Sequence, residues 1–161
     1  MSVRTVWARE SLPERGRPSV FLAGPTPRAR TVPSWRPHMI DIIDYLWRGP
    51  EVLYVLTPES RNGIRAAHYD DQFQWETTAR ARATVRLFWI PRDVTILPGF
   101  TTNVEFGHDV ATSTVVLGVP PDCPNPERNR YLISLAHHYG APVRETARDT
   151  VVIALDLAKA N

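Results

Sequence analysis

Two glutamates are the residues of this chain whose surroundings best suit chemistry. Glu105 falls near the start of a predicted helix, where the helix dipole favours the ionised carboxylate. An ionised carboxylate in a partly apolar pocket can act as a nucleophile. Glu76 lies on the preceding predicted helix beside Trp75, and two facing carboxylates form the kind of pair that acts at glycosidic carbons. Spacing alone also fits plainer roles: a dipole-matching acid for Glu105 and a solvated surface charge for Glu76.

A glycine-led loop, Gly24-Pro25-Thr26-Pro27-Arg28, follows the first predicted strand. Gly24 permits a ligand to approach the backbone closely, and the Arg28 guanidinium can bind an anion in two places. The strand is not followed by G-x-G-x-x-G, and the Gly-Lys-Ser/Thr of a P-loop is absent, so neither a dinucleotide fingerprint nor a P-loop is indicated. A simple turn is the other interpretation of Gly-Pro at this position.

The elements that must position these residues alternate between strand and helix. Apolar runs closed by Gly or Pro predict five strands, and apolar residues at helical spacing predict the helices between them. The predicted strands are residues 20–23, 52–56, 85–90, 114–119 and 143–146, and the predicted helices are residues 36–48, 66–83, 103–111, 127–139 and 150–159. This pattern predicts an α/β fold, a flavodoxin-like three-layer sandwich with a five-stranded parallel sheet in the order 2-1-3-4-5.

Such a sheet binds ligands beyond the carboxyl ends of its strands, beside the point where the strand order reverses. Here that point lies between the first and third predicted strands, so the loops to consider are residues 24–31, 57–68 and 91–105. We therefore expect the following residues to converge on one cleft: Gly24, Pro25, Arg28, Trp35, Glu76, Asn103 and Glu105.

Length and composition narrow the class of protein. A chain of 161 residues fits one domain, and with 43% apolar and 22% charged residues it is not a disordered chain. No apolar run approaches the ~18–20 residues of a membrane helix. The net charge of +2 gives no indication of a nucleic-acid polymer as partner. We expect a leader over residues 1–18, a single domain over residues 19–161, and a cytoplasmic location without a membrane partner.

The metal-binding residue types give no indication of a metal or a cofactor. The five histidines show no metal-ligand spacing with acids, and a single Cys123 forms neither a disulfide framework nor a cysteine-based zinc cluster. The nucleophile motif G-x-S-x-G of serine hydrolases is also absent. We therefore expect no metal and no cofactor.

Several segments together resemble the nucleoside 2-deoxyribosyltransferase-like family. The segments are VFLAGPTPR at residues 20–28, SWR at 34–36, QFQWE at 72–76, FWIPR at 88–92 and TTNVEFG at 101–107. Each is short, but their order and spacing span about residues 19–120 and make the combination fairly specific. The resemblance implies a flavodoxin-like fold, usually oligomeric, and a Glu nucleophile within x-Glu-x-Gly, a position that Glu105 matches.

The resemblance also implies a reaction and a second carboxylate. The nucleophile attacks C1′ of a nucleoside, expels the base and leaves a glycosyl-glutamate ester that a second base or water resolves. The family's acid/base carboxylate lies eight residues before an Asp that opens the third strand. Thr84 occupies that opening position here and Glu76 lies eight residues earlier, so the role falls to Glu76. The chain departs from the family at Thr84 and again at Gly99, where classical transferases often have an acid six residues before the nucleophile.

Three functions remain open on this basis. The first is a transferase that moves a (deoxy)ribosyl group between bases. The second is an N-glycosidase that hydrolyses a nucleoside 5′-monophosphate, because the family's hydrolases hold phosphate with an Arg-bearing loop that Arg28 would match, with Thr26 and Arg92 assisting. The third is a catalytically inactive nucleotide-binding module, against which the presence of both Glu76 and Glu105 argues.

The expected partners are a nucleoside or nucleotide as substrate and further copies of the chain. The resemblance implies a homodimer or larger homo-oligomer. The helix predicted at residues 127–139 supplies an apolar and aromatic surface that could pack on a partner. Its members are Tyr131, His137, His138 and Tyr139.

Overall fold

The structure, a computed structural model, describes residues 2–160. Within this range six strands and five α-helices alternate, with one short 3-10 helix before the fourth α-helix. In chain order they are β1 (Val3–Val6), β2 (Ser19–Ala23), α1 (Arg36–Leu46), β3 (Leu53–Leu56), α2 (Tyr69–Arg82), β4 (Val85–Trp89), α3 (Phe100–Thr112), β5 (Val115–Gly118), the 3-10 helix (Pro126–Asn129), α4 (Arg130–His138), β6 (Val143–Arg144) and α5 (Ala147–Lys159).

All strands pair in parallel, in the order β1-β3-β2-β4-β5-β6. The five predicted strands are β2 to β6, and they follow the predicted order 2-1-3-4-5. The predicted strand count is one too low, because β1 pairs along β3 from Val3 opposite Leu53 to Val6 opposite Leu56. This edge strand comes from the segment expected to be a leader. Its four residues, only two of them buried, are too few to show a strand period.

The sheet is covered by helices on both faces, which confirms the three-layer α/β class. Its central strands are mostly apolar, as expected of strands buried on both faces, and every residue of β2 is buried. On one face α1 and α5 pack their apolar residues against the sheet, and on the other α2, α3 and α4 do so. α2 and α3, which carry Glu76 and Glu105, therefore lie on the same face of the sheet.

The start of α3 differs from the sequence-based expectation in a way that affects Glu105. The helix begins at Phe100, directly after Gly99, and not at Asn103. Glu105 is thus the sixth helical residue and lies in the second turn. Because the unpaired N–H groups and most of the dipole's field belong to the first turn, the helix supports the charge of Glu105 less than expected.

The surface of α4 carries two exposed tyrosines. Tyr131 is 75% exposed and Tyr139 is 49% exposed, and His137 and His138 are exposed between them. Association of the chain into a homo-oligomer through this surface stays a prediction.

Among the described residues, none of the helices has the length and apolar character needed to cross a membrane.

The turn that ends β2 depends on a glycine with no room for a side chain. Gly24 has a φ of +147°, and a Cβ atom there would lie 2.2 Å from the carbonyl oxygen of Trp89 and 2.7 Å from the Trp35 ring. Both distances are far below ordinary contact. The end of β2, the end of β4 and the Trp35 ring therefore meet at this residue.

We predict that Gly24→Ala lowers the free energy of unfolding by about 2–4 kcal/mol, because the substitution adds both backbone strain and a steric clash. Gly140→Ala is the matched control: Gly140 has a φ of +73° but nothing within 4 Å of an added Cβ, so it should lose only about 1 kcal/mol. Urea unfolding of the two variants measures both effects. Equal losses would show that the close contacts at Gly24 do not constrain the fold.

Candidate active site

A cleft of about 350 Å³ opens between the loops that follow β2, β3 and β4. Five of the seven residues expected to converge line it, namely Gly24, Pro25, Arg28, Glu76 and Glu105. Its position agrees with the rule that parallel sheets bind ligands at the carboxyl edge, beside the point where the strand order reverses.

The other two expected residues, Trp35 and Asn103, do not line the cleft. The Trp35 indole Nε1 donates a hydrogen bond to the carbonyl oxygen of Pro25 at 2.9 Å. The Asn103 side chain accepts a hydrogen bond from Nη2 of Arg92 at 2.7 Å. Both side chains therefore hold wall segments in place, one behind the loop after β2 and the other at the start of α3.

A buried arginine shapes the loop after β2. Arg36 is 1% exposed and donates hydrogen bonds to the carbonyl oxygens of Leu22 (3.1 Å) and Gly24 (2.8 Å). It also donates to Thr26 Oγ1 (2.9 Å) and forms an ion pair with Glu59 Oε1 (3.1 Å). Arg36 thus ties the loop after β2 to the loop after β3, and its own side chain lines the cleft.

Glu76 is held in the cleft by a side chain one helical turn before it. The Gln72 amide Nε2 donates hydrogen bonds to Glu76 Oε1 and to the carbonyl oxygen of Pro58 at 2.9 Å. Gln72 in turn accepts a hydrogen bond at 2.7 Å from Arg9, which lies in the segment after β1. Arg9 also donates to Ser60 Oγ and to the carbonyl oxygen of Ile64, so this segment supports the loop after β3.

Glu105 faces α2 across a buried ion-pair cluster. Its Oε1 atom lies 3.2 Å from Nη1 of Arg80, and the Arg80 Nε and Nη2 atoms each donate to one oxygen of Asp109 at 2.9 Å. The side chains are only 12% (Arg80), 14% (Glu105) and 4% (Asp109) exposed. Neither Arg80 nor Asp109 was identified from the sequence. Their spacing was the available signal, because each lies four residues after a candidate glutamate and therefore on the same helix face.

Burial raises the pKa of Glu105 to about 7. The positive charge of Arg80 opposes this rise, whereas the negative charges of Glu76 and Asp109 add to it and Arg36 lowers the pKa slightly. Burial therefore opposes the expected support of the ionised carboxylate by the helix start. Removal from water outweighs the helix dipole, because the side chain is buried and lies beyond the first turn of α3.

The cleft mouth carries two arginines and two aromatic residues. Arg28 and Arg65 are exposed and line the cleft, as do the aromatic side chains of Tyr69 (76% exposed) and Phe100 (70% exposed). Neither Arg65 nor the two aromatic residues was identified from the sequence, because loop and helix-start positions give no periodic signal.

Arg92, expected to assist in phosphate binding, is instead buried. It bonds Asn129, Asn103 and the carbonyl oxygen of Pro98, and it does not line the cleft. Thr26, the other assisting residue, does line the cleft, and its hydroxyl already accepts a hydrogen bond from Arg36.

Among residues 2–160 no group of three or more His, Cys, Asp or Glu side chains could hold a metal ion.

The raised pKa of Glu105 predicts an unusual dependence of stability on pH. Between its ordinary pKa of 4.5 and about 7, the folded protein holds a proton on Glu105 that the unfolded chain has lost. The free energy of unfolding should therefore fall as the pH rises through this window. Glu105→Gln removes the effect, so at pH 8 the variant should be more stable than the wild type by roughly 1–3 kcal/mol.

Urea unfolding at pH 4.5 and pH 8 tests this expectation, and the gain should vanish at the lower pH. Glu14→Gln is the control, because the Glu14 side chain is 86% exposed and should give no pH-dependent difference. A gain for Glu105→Gln of the same size at both pH values would show that the folded and unfolded chains hold the Glu105 proton equally.

The family model described as nucleoside 2-deoxyribosyltransferase like matches residues 17–123, a range that includes Gly24, Glu76 and Glu105. No curated protein matches the sequence. The match supports a nucleoside-related role in glycosyl transfer. With two thirds of its length matched, and with the fold and cleft described above, the chain belongs to the nucleoside 2-deoxyribosyltransferase-like family.

Proposed function

We propose that this protein cleaves the N-glycosidic bond of a nucleoside and moves the (deoxy)ribosyl group to a second base, with Glu105 as nucleophile and Glu76 as acid/base. The observation that carries the proposal is that two carboxylates from neighbouring helices line one cleft at the carboxyl edge of the sheet. Family membership supports the type of reaction.

The reaction proceeds in two displacements. In the first, the Glu105 carboxylate attacks C1′ while the bond from C1′ to the base nitrogen breaks, and Glu76 gives a proton to the departing nitrogen. The product is a glycosyl ester on Glu105. In the second, a nitrogen of the incoming base attacks C1′, its proton passes to Glu76, and Glu105 leaves as a carboxylate. Two inversions at C1′ retain the configuration of the sugar.

The geometry of Glu105 suits a nucleophile. Its Oε1 lies 3.2 Å from Arg80 Nη1, and among the described residues the Glu105 carboxylate takes part in no hydrogen bond. The carboxylate is therefore not committed to hydrogen bonds and can approach a bound substrate. Burial raises the pKa of Glu105 to about 7, so its ionised form is accessible near neutral pH, and burial also limits solvation of the charge.

The cleft suits a nucleoside in size and in lining. Its volume of about 350 Å³ lies at the lower end of the range for small-molecule sites, roughly 300–1,000 Å³. Tyr69 and Phe100 offer aromatic faces at the mouth on which a base can stack. The carboxylates lie deeper, where the sugar would be held.

We predict that Glu105→Gln abolishes turnover and leaves substrate binding largely intact, because it removes the nucleophilic charge and keeps the shape. The loss should reach several orders of magnitude in kcat. Glu76→Gln should slow turnover by roughly 10²–10⁴-fold, since it removes proton transfer alone. Base-exchange assays with purine and pyrimidine nucleosides measure kcat, and calorimetric titration measures binding.

Mass spectrometry of the protein quenched with a 2′-fluoro nucleoside identifies the nucleophile directly, because the fluorine slows breakdown of the glycosyl ester. The proposal expects a sugar adduct on Glu105. A Glu105→Gln variant that still turns over, or an adduct on another residue, would remove Glu105 from the mechanism.

Hydrolysis of a nucleoside 5′-monophosphate is the second candidate, and it is favoured by the two arginines at the cleft mouth. Within the described part of the chain, neither the Arg28 nor the Arg65 guanidinium pairs with a carboxylate, and the one bond that either forms runs from Arg65 Nη2 to the backbone oxygen of Arg28 at 3.4 Å. Two unpaired guanidinium groups in one cleft suit a phosphate, which they can grip through paired hydrogen bonds.

For this candidate we predict that Arg28→Gln and Arg65→Gln each raise KM for a nucleoside monophosphate by about 10–100-fold and leave KM for the nucleoside unchanged, because each loses a charge-assisted hydrogen bond. Arg30→Gln is the matched control, since Arg30 is exposed in the same loop but does not line the cleft. Product analysis with and without an acceptor base separates transfer from hydrolysis. Equal KM values for the monophosphate in all three variants would count against the hydrolase.

A further inference from the structure

Arg80 is a buried cation on α2 that two carboxylates of α3 share. It uses Nε and Nη2 for the two oxygens of Asp109, both at 2.9 Å, and Nη1 for Glu105 Oε1 at 3.2 Å. None of the catalytic roles proposed above involves Arg80 or Asp109.

We infer that Arg80 is the positioning residue of Glu105, fixing the direction and the charge of its carboxylate, and that Asp109 holds Arg80 in the required orientation. This inference rests on the proposed role of Glu105 as nucleophile. Arg80 acts through Glu105, so it is a positioning residue and not a catalytic one.

The orientation follows from the shape of the guanidinium group. Two parallel hydrogen bonds to one carboxylate fix the plane of an arginine side chain, as a single bond cannot. With Nε and Nη2 committed to Asp109, the remaining nitrogen Nη1 lies 3.2 Å from Glu105 Oε1, an ion-pair contact that is not aligned as a hydrogen bond. The contact places the Arg80 charge at a fixed position beside the Glu105 carboxylate.

The charges around Glu105 make Arg80 the main support of its ionised form. Arg80 and Glu76 face it from α2, Asp109 from its own helix, and Arg36 from α1. Two of these four neighbours are anionic, and Arg80 is the cation in ion-pair contact. Removing Arg80 would leave a buried carboxylate beside two like charges.

Asp109 also keeps Arg80 paired throughout the proposed reaction cycle. When Glu105 becomes an ester it loses its charge, and a buried arginine without a partner would then be costly. Asp109 remains paired with Arg80 through both oxygens, and His108 Nδ1 contacts it at 2.9 Å, with Arg86 of β4 close enough to contribute. Burial opposes the ionised form of Asp109, but the bonds from Arg80 and His108 outweigh it, and the pKa of Asp109 lies below its ordinary value.

The test is a titration of Glu105 in the free protein. Carbon-13 NMR of protein labelled at the glutamate carboxyl carbon gives the pKa, and the spectrum of Glu105→Gln assigns the signal. Arg80→Met should raise the pKa of Glu105 by about 1–2 units and move the acid limb of the kcat/KM profile by the same amount. Arg80→Lys, which keeps the charge but loses the fork, should give a smaller rise.

Asp109→Asn should act in the opposite direction on the pKa. It removes a like charge and leaves the Arg80 charge undivided, so the pKa of Glu105 should fall. Loss of orientation should nevertheless lower kcat by about 10–100-fold with KM nearly unchanged. Arg82→Met is the matched control, because Arg82 lies on the same helix but donates to the carbonyl oxygen of Pro13. It should shift neither the pKa nor the pH profile.

An unchanged pKa of Glu105 in Arg80→Met would overturn the inference, as would a rise in Asp109→Asn. If Arg80→Met does not fold, Arg80→Lys and Asp109→Asn decide in the same way. A Glu105→Gln variant that still turns over would overturn the nucleophile assignment, and with it the catalytic meaning of Arg80. That outcome is read from activity alone and is therefore separate from the titration.

Discussion

The pairing of buried guanidinium groups at the carboxyl edge of the sheet is the constraint on which the cleft depends. A buried cation without partners is strongly destabilising, so its position dictates which acceptors must surround it. Arg36 donates hydrogen bonds to two backbone carbonyl oxygens at the end of β2 and forms an ion pair with the carboxylate of Glu59. These contacts fix the loops after β2 and β3 relative to one another. Arg92 does the same for the loop after β4 and the start of α3.

Burial also sets the chemistry of Glu105, and it acts in two opposing ways. Removal from water raises the pKa of the carboxyl to about 7 and so lowers the ionised fraction at neutral pH. In the proposed reaction, the same removal would favour attack by the ionised carboxylate, because less water has to be displaced before attack. The positive charge of Arg80 limits the rise in the pKa. If Glu105 is the nucleophile, the site combines a desolvated carboxylate with a nearby cation that supports its ionised form.

Much of the fold follows from sequence because strands buried on both faces are largely apolar runs, and β2 to β5 appear as such. β1 does not, because it is a four-residue edge strand of which only the first and last residues are buried. Glu105 could be assigned to the cleft from the topology, and Glu76 from the family resemblance. Trp35 and Asn103 could not be placed correctly, because proximity to a loop in sequence does not tell which side of a wall a side chain occupies. The raised pKa of Glu105 depends on its burial and on Arg80 across a helix interface. Neither can be inferred from the sequence of one segment.

The two departures from the family pattern have different consequences in space. Thr84 lies at the amino end of β4, where its Oγ1 accepts a hydrogen bond from the Ser19 backbone and lies 3.4 Å from the Ser19 hydroxyl. That contact joins the starts of β2 and β4 at the edge opposite the cleft, so the change to Thr bears on strand pairing and not on the reaction. Gly99, in contrast, lines the cleft.

A side chain at Gly99 would require local adjustment. Gly99 has a left-handed φ of +65°, and a Cβ there would lie 2.9 Å from Nη1 of Arg92, so Arg92 would have to shift to admit the acid that classical transferases often carry there. Among the described residues that line the cleft, Glu76 and Glu105 are the carboxylates. If Glu105 is committed to C1′, proton transfer to and from the base falls to Glu76. The loss of an acid at residue 99 therefore strengthens the assignment of Glu76 and concentrates the acid/base work on one side chain.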